Sequence, residues 1–368
     1  MEISGNSKRR ATDDRFINLP TDVLNCIIDH LPVRDAARTS ILSRKWRYIC
    51  AGHLNVVLDP KDIVTVTKND FVGIGNGILL QHIGPILTFY VDLSDVHMSQ
   101  YPNIDQWILY LSRNGLREFT VENSSRDLYV LPSYVFLCQE LTYLDLSNCI
   151  FKHPCGTVRS FKNLKELFLT QVAFKPEVSA SIFTASKLET LHLEKCSGMD
   201  HLNFDGCSPS LSSLVLYKNH GVKLSCFMNC KSITYAKLVL PMEVKSFGSD
   251  FITSALPIKV NYLRDLTVYG ISFTNLVPMV TAGNSLVLQY LQERSCMSEE
   301  INSLQAFKMK YFQGSRAEML FVKLILACCP ALERVSFVDK RVDASAVSNI
   351  LKELVVFPRA SRKPQIIF

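Results

Sequence analysis

Charge of one sign is what this 368-residue sequence lacks most clearly. It sets 40 Lys and Arg against 34 Asp and Glu, a formal net charge of +6, with acids interleaved among the bases. A nucleic-acid binder gathers its bases into a stripe, and none is found, so no nucleic-acid partner is expected. Long apolar runs are missing too. The most apolar stretch, MLFVKLILACC at 319–329, falls short of the roughly 18 residues of a membrane span and contains Lys323. No membrane partner is therefore expected. The opening MEISGNSKRRATDDR is polar, without the apolar run that a secretory signal places behind its basic residues. The 12 cysteines are scattered rather than spaced as a framework, which suits free buried thiols in a reducing nucleus or cytoplasm. In such a compartment the sequon Asn123-Ser124-Ser125 stays bare.

Catalytic and ligand motifs are as scarce. The eight histidines form no HExxH, and no GxSxG elbow exists to expose a serine nucleophile. GIGNG at 73–77 has Ile78 where a dinucleotide loop needs its third glycine, and is expected to be a turn. Cys226 and Cys230 have no second Cys or His pair at a zinc-site distance. Cys328-Cys329, ahead of Pro330, suit packing. No catalytic residue, metal or cofactor is expected, and the basic triplet Lys8-Arg9-Arg10 reads as a solvated terminus.

What the chain has is apolar content, 48% against 20% charged, and a repeat. The frame apolar-x-x-apolar-x-apolar recurs as ILTFYV (86–91), LREFTV (116–121), LTYLDL (141–146), LKELFL (164–169), LETLHL (188–193) and LSSLVL (211–216). It continues as ITYAKL (233–238), LRDLTV (263–268), LQAFKM (304–309) and LERVSF (332–337). Starts at 116, 141, 164, 188 and 211 give steps of 25, 23, 24 and 23 residues, inside the leucine-rich-repeat range of about 20–29. That pattern wants Asn or Cys at the ninth place; Cys149, Cys196 and Asn219 supply it and Val172 does not. One such unit cannot bury its own apolar side, so stacking builds a continuous core and a parallel sheet. The step from 263 to 304 is irregular, at 41 residues.

Ahead of the repeat stands LPTDVLNCIIDHLPVRDAARTSILSRKWR (19–47), too short to fold unaided. Val23, Leu24, Ile27, Ile28 and Leu31 share one face of a first helix bounded by Pro20 and Pro32. A second helix is predicted from Asp35 through Ala36, Ala37 and Ile41, and a third from the N-cap Ser43. The apolar positions outnumber what three such helices hide among themselves. Through Leu19-Pro20, Asp22-Val23-Leu24, Ile28, Leu31-Pro32, Asp35-Ala36, Thr39-Ser40, Leu42-Ser43 and Lys45-Trp46-Arg47, the stretch resembles an F-box. NIDQWILYLSRNGLREFTV (103–121) and the C-terminal LQAFKMKYFQGSRAEMLFVKLILACCPALERVSF and VSNILKELVVFPRASRKPQIIF extend the resemblance to the plant F-box/FBD/leucine-rich-repeat family.

The resemblance implies a small all-α F-box (15–59) behind a mobile tail (1–14). An α/β solenoid follows (60–303), a horseshoe of parallel strands with helical or irregular return segments, and an FBD-like repeat and cap (304–368) closes the chain. It also implies a substrate receptor of a Skp–cullin–F-box ubiquitin ligase. The F-box would hold a Skp-type adaptor through Leu19, Pro20, Leu24, Ile28, Leu31, Pro32, Leu42 and Trp46, and through it cullin and RING subunits. Arg34, Arg38, Arg44, Lys45 and Arg47 would steer an acidic partner. Strand alternation puts Tyr143, Asp145, Glu166, Phe168, His192, Val215 and Tyr217 on the open face of the repeats, as candidates for binding the protein substrate. The alternative reading is a scaffold that binds partners without directing degradation.

Overall fold

The structure, a computed structural model, describes residues 19–63, 71–152, 161–175, 185–199, 210–219, 230, 232–239, 263–269, 302–338, 340, 342, 344–362 and 364–368. The tail 1–14, Cys226 and residues 270–301 of the irregular stretch 270–303 lie outside the described residues.

Three short helices come first: α1 (Thr21–Asp29), α2 (Val33–Thr39) and α3 (Arg44–Ala51). Pro20 and Pro32 are the N-caps of α1 and α2, where a fixed φ suits the entry and no N–H is wanted. Ser43 caps α3 by accepting a bond from the Trp46 amide. Ile41 is not on α2 as predicted. The Thr39 and Ser40 hydroxyls each donate back to a carbonyl one turn earlier, at 2.6 Å, and compete with the next turn of helix. The module's interior is small: Leu24, Ile28, Ala36 and Trp46, with Leu19, Ile27, Leu31 and Ile49 against them.

The rest of the chain is built on parallel strands. In order these are β1 (Asn55–Leu58), β2 (Thr88–Asp92), β3 (Glu118–Glu122), β4 (Tyr129–Leu131), β5 (Tyr143–Ser147), β6 (Cys149–Phe151), β7 (Glu166–Thr170) and β8 (Ala173–Phe174). Then follow β9 (Thr190–Glu194), β10 (Ser213–Tyr217), β11 (Tyr235–Val239), β12 (Asp265–Tyr269), β13 (Ala306–Lys310), β14 (Arg334–Val338) and β15 (Gln365–Ile367). Twelve of them form one sheet, β1-β2-β3-β5-β7-β9-β10-β11-β12-β13-β14-β15, and β4-β6-β8 form a second. In every frame named above the strand begins at the third residue. The two flanking apolar residues point into the core: Phe119 and Val121, Leu144 and Leu146, Leu167 and Leu169, Leu191 and Leu193 are all buried. Asn148, Gln171, Lys195, Lys218 and Tyr311, at the eighth place of their frames, all take left-handed φ of 51–54° to turn the chain out of the sheet.

The ninth place seals that turn. Asn219 accepts from the Cys196 amide at 2.9 Å and donates to the Leu193 carbonyl at 2.7 Å, joining two neighbouring units. Cys149, Val172 and Cys196 fill the same place fully buried.

Helices α4 (Pro60–Ile63), α5 (Phe71–Gln81), α6 (Tyr101–Leu111), α7 (Arg316–Cys328) and α8 (Ala344–Val356), with 3-10 turns at Met98–Gln100 and Ser133–Leu137, complete the elements of the described residues. GIGNG is not a turn but the middle of α5. A Cβ on Gly75 would meet the Trp107 ring at 2.4 Å, and Trp107 Nε1 donates to Asn76 Oδ1 at 2.6 Å. Close packing against α6 overrides the poor helix propensity of glycine.

Candidate functional site

Two surfaces follow from this architecture. The first is on the helical module, and it revises the anchor set. Leu24, Ile28 and Trp46 are 0%, 4% and 3% exposed. They are the module's own core and hold its helices together from behind the surface. Leu19 and Leu31 are half-buried against that core, while Pro20, Pro32 and Leu42 face solvent. Sequence reasoning passed over the neighbours that are most open: Ile41 is 80% exposed, Tyr48 69% and Val23 43%, beside Leu42 at 65%. The available signal was the Ile41-Leu42 pair set between polar residues after α2. Arg38 on α2 and Arg44 and Arg47 on α3 are exposed as well, with Arg38 paired to Asp35 at 3.2 Å. Lys45 Nζ donates to the Leu19 carbonyl at 2.7 Å and ties α3 to the start of the module.

The second surface is the face of the large sheet opposite the buried framework residues. Its strand register sets Asp145, Phe168, His192 and Val215 side by side along one row. Tyr143 and Glu166 are paired in the row before it, and Glu194 and Tyr217 in the row after. The Tyr143 and Phe168 rings lie 5.4 Å apart, and Phe168 and His192 5.8 Å. Tyr217 stands two strands beyond Phe168 and instead carries Lys218 and Lys237 at 5.3 and 5.7 Å from its ring.

The electrostatics of this face are graded. Burial lifts the Tyr143 hydroxyl to about 12, with the Asp145, Glu166 and Glu118 charges adding to it. Asp145 is held above the usual carboxylate range, first by burial and then by the Glu122 charge, against the Tyr143 hydrogen bond at 3.3 Å. Tyr90, which donates to Glu122, is raised for the same reasons. His192 is held below the usual imidazole range by burial and Lys237, despite Glu194 at 3.8 Å. Such a surface offers aromatic faces and charges for binding. Among the described residues no group of His, Cys, Asp or Glu is placed to hold a metal ion, and no helix is long and apolar enough to cross a membrane.

Comparison with known proteins covers both the helical module and the repeats. A family model described as "FBD-associated F-box protein At5g56370, LRR repeats" matches residues 104–337, and the F-box domain model matches residues 16–56. The F-box/FBD/LRR-repeat protein At1g13570 of Arabidopsis thaliana is 28% identical over 414 aligned residues, covering 96% of this chain and 98% of its own. A second Arabidopsis thaliana relative, F-box/FBD/LRR-repeat protein At5g56420, is 29% identical over 56% of this chain and 49% of its own length. Among solved structures, the Leptospira interrogans LRR protein LIC12759 aligns with 86% of this chain and 95% of its own at 14% identity and a TM-score of 0.25. The fold reading rests on the sheet itself and not on that likeness.

Proposed function

This chain belongs to the family of FBD-associated F-box proteins with leucine-rich repeats, and from that premise we propose that it is the substrate-recognition subunit of a Skp–cullin–F-box ubiquitin ligase. The observation that carries the reading is the set of apolar side chains Val23, Ile41, Leu42 and Tyr48 on the F-box, exposed among the described residues. Side chains of this kind at the centre of an interface supply most of its binding energy. A Skp-type adaptor is the occupant, and cullin and RING subunits follow through it. The protein to be ubiquitinated binds on the open face of the sheet, through Tyr143, Asp145, Glu166, Phe168, His192, Val215 and Tyr217. The receptor itself is non-catalytic: it raises the effective concentration of target lysines near the recruited conjugating enzyme. The nucleus or cytoplasm is the compartment for this role, and the free buried thiols Cys138, Cys149, Cys196 and Cys329 call for no oxidising one.

The test is co-expression with a plant Skp-type adaptor, comparing the wild type with Ile41→Asp/Leu42→Asp and with Leu24→Ala. Capture by the wild type should be lost in the double variant while its helical content and melting curve stay unchanged. Leu24→Ala, emptying a core of four buried residues, should lose capture together with the F-box fold, at a cost of about 2–5 kcal/mol. A well-folded wild type that captures no adaptor would move the chain to the scaffold reading.

A further inference from the structure

The open face of the sheet is not uniform in charge, and the division runs along the strand order. From β2 to β9 the outward positions carry Asp92, Glu118, Glu122, Asp145, Glu166 and Glu194, and no Lys or Arg. From β10 to β14 they carry Lys237, Lys308, Lys310 and Arg334 against Asp265. Among the described residues Glu118, Glu122, Asp145 and Glu166 make no ion pair, whereas Asp92 pairs with Lys61 at 3.6 Å and Glu194 with Lys195 at 3.1 Å. The aromatic pair Tyr143 and Phe168 sits inside the acidic half, its rings partly open to solvent.

We propose that this face takes an extended segment of the target protein that places arginine over Tyr143 and Phe168 and an acidic side chain opposite Lys237 and Lys308. The inference rests on the receptor reading above and adds the chemical class of the target. Arginine suits the acidic half better than lysine, because its planar guanidinium stacks on an aromatic ring while donating to flanking carboxylates. The spacing follows from the sheet. Asp145 on β5 and Lys237 on β11 are separated by four strand-to-strand steps. At roughly 4.8 Å per step that is about 19 Å, and an extended chain covers it in about six residues. The segment therefore runs across the strands, with its basic and acidic groups about six residues apart. Burial first, and the neighbouring carboxylates after it, hold Asp145 and Tyr143 above their ordinary values, and a bound arginine would set a cation beside them.

The experiment uses the full chain, free and in complex with a plant Skp-type adaptor. The probe is a fluorescent peptide with an arginine pair and an aspartate pair joined by a Gly/Ser spacer of about six residues, read by anisotropy at low and raised salt. The comparison peptides are all-basic, all-acidic, or dipolar with the spacer halved. The dipolar peptide should bind tightest, more weakly as salt rises, and lose about tenfold in affinity with Asp145→Asn/Glu166→Gln or with Phe168→Ala. Halving the spacer should cost a similar factor. Absence of binding by the dipolar peptide overturns the proposal. So does tighter binding of the all-acidic peptide, or an affinity indifferent to those substitutions in chains that melt like the wild type. Adaptor capture is read on the same preparations. Its loss with peptide selectivity intact removes the receptor reading and leaves this surface standing, and the reverse result removes only the surface.

Discussion

Asn219→Ala is the substitution whose cost the geometry fixes best. The side chain is 6% exposed and reaches back one unit, accepting from the Cys196 amide and donating to the Leu193 carbonyl. Cys196 and Leu193 are themselves fully buried. Alanine removes both partners and offers nothing in their place, and water cannot follow into a packed turn. An unpaired buried backbone group costs about 1–3 kcal/mol, so losing one acceptor and one donor comes to about 2–6 kcal/mol. That is a large fraction of the stability of a typical domain, about 5–15 kcal/mol. In a stacked array each unit leans mainly on its neighbours, so the loss should appear at the β9–β10 junction before elsewhere. Urea denaturation would give the overall change. Hydrogen exchange of the Cys196 amide would locate it, with exchange accelerated well above that of amides in β5. Ser213→Ala, half-exposed on the same strand system, should stay within about 0.5 kcal/mol. If Asn219→Ala is as silent as Ser213→Ala, the ninth place fills space and does not satisfy the backbone.

Two further perturbations test other parts of the structure. Gly198 has φ +71°, and a Cβ there would lie 2.1 Å from the Phe174 carbonyl oxygen. Gly198→Ala should therefore cost about 2 kcal/mol or more in thermal unfolding, whereas Gly73→Ala in α5, whose Cβ would meet nothing within 4 Å, should gain about 0.5–1 kcal/mol. Asp145 is raised above the ordinary carboxylate range by burial and by Glu122, so the folded chain takes up its proton more readily than the unfolded one. Its linkage therefore favours the fold as pH falls through the window between the ordinary and the raised value, and that contribution is lost as pH rises above the raised value. Asp145→Asn should be at least as stable as the wild type at neutral pH and should flatten stability across that window; a variant less stable at neutral pH refutes the sign.

The large sheet was legible because each frame states the same physical requirement. Leucine before the strand and two alternating apolar residues within it define which face is buried, so LTYLDL and LKELFL fix both a strand and its register. The shorter strands carry no such frame. β1 shows only Val56 and Leu58 in alternation, and β8 is just two residues long, so their pairing is decided by neighbours rather than by their own pattern. On the F-box, periodicity identified an apolar helix face but could not divide it. Leu24 and Ile28 look no different in sequence from Val23 or Leu42. Which of them faces inward depends on how α1, α2 and α3 pack, and only the fold supplies that. Side chains on the open sheet face follow from alternation alone. Their ring contacts and shared charge field depend on register between strands some 23 residues apart in sequence.

How the two surfaces are joined bears on the mechanism. Only Gly52, His53 and Leu54 separate α3 from β1, the first strand of the large sheet. The connection is held by backbone bonds: Ile83 donates to the Ala51 carbonyl at 2.7 Å, and Leu87 and Thr88 to that of Leu54 at 2.8 and 3.1 Å. A side-chain clasp adds to them, with His53 Nε2 at 2.9 Å and Asn55 Nδ2 at 2.8 Å on the same Asp29 carboxylate oxygen. A cavity of about 610 Å³ lies between the F-box and the first strands, with Ile28, Leu31, Val33, Ile74 and Ile78 on its wall. Apolar contact also crosses the junction, since Val33 of α2 packs against the core of the large sheet, and the polar and backbone bonds add to it. A receptor that works by proximity needs its target held at a defined position relative to the adaptor, because effective concentration falls as the link between two sites loosens. For the receptor proposed above, the Asp29 clasp at the junction of F-box and sheet would belong to the transfer geometry together with the residues that touch the partners.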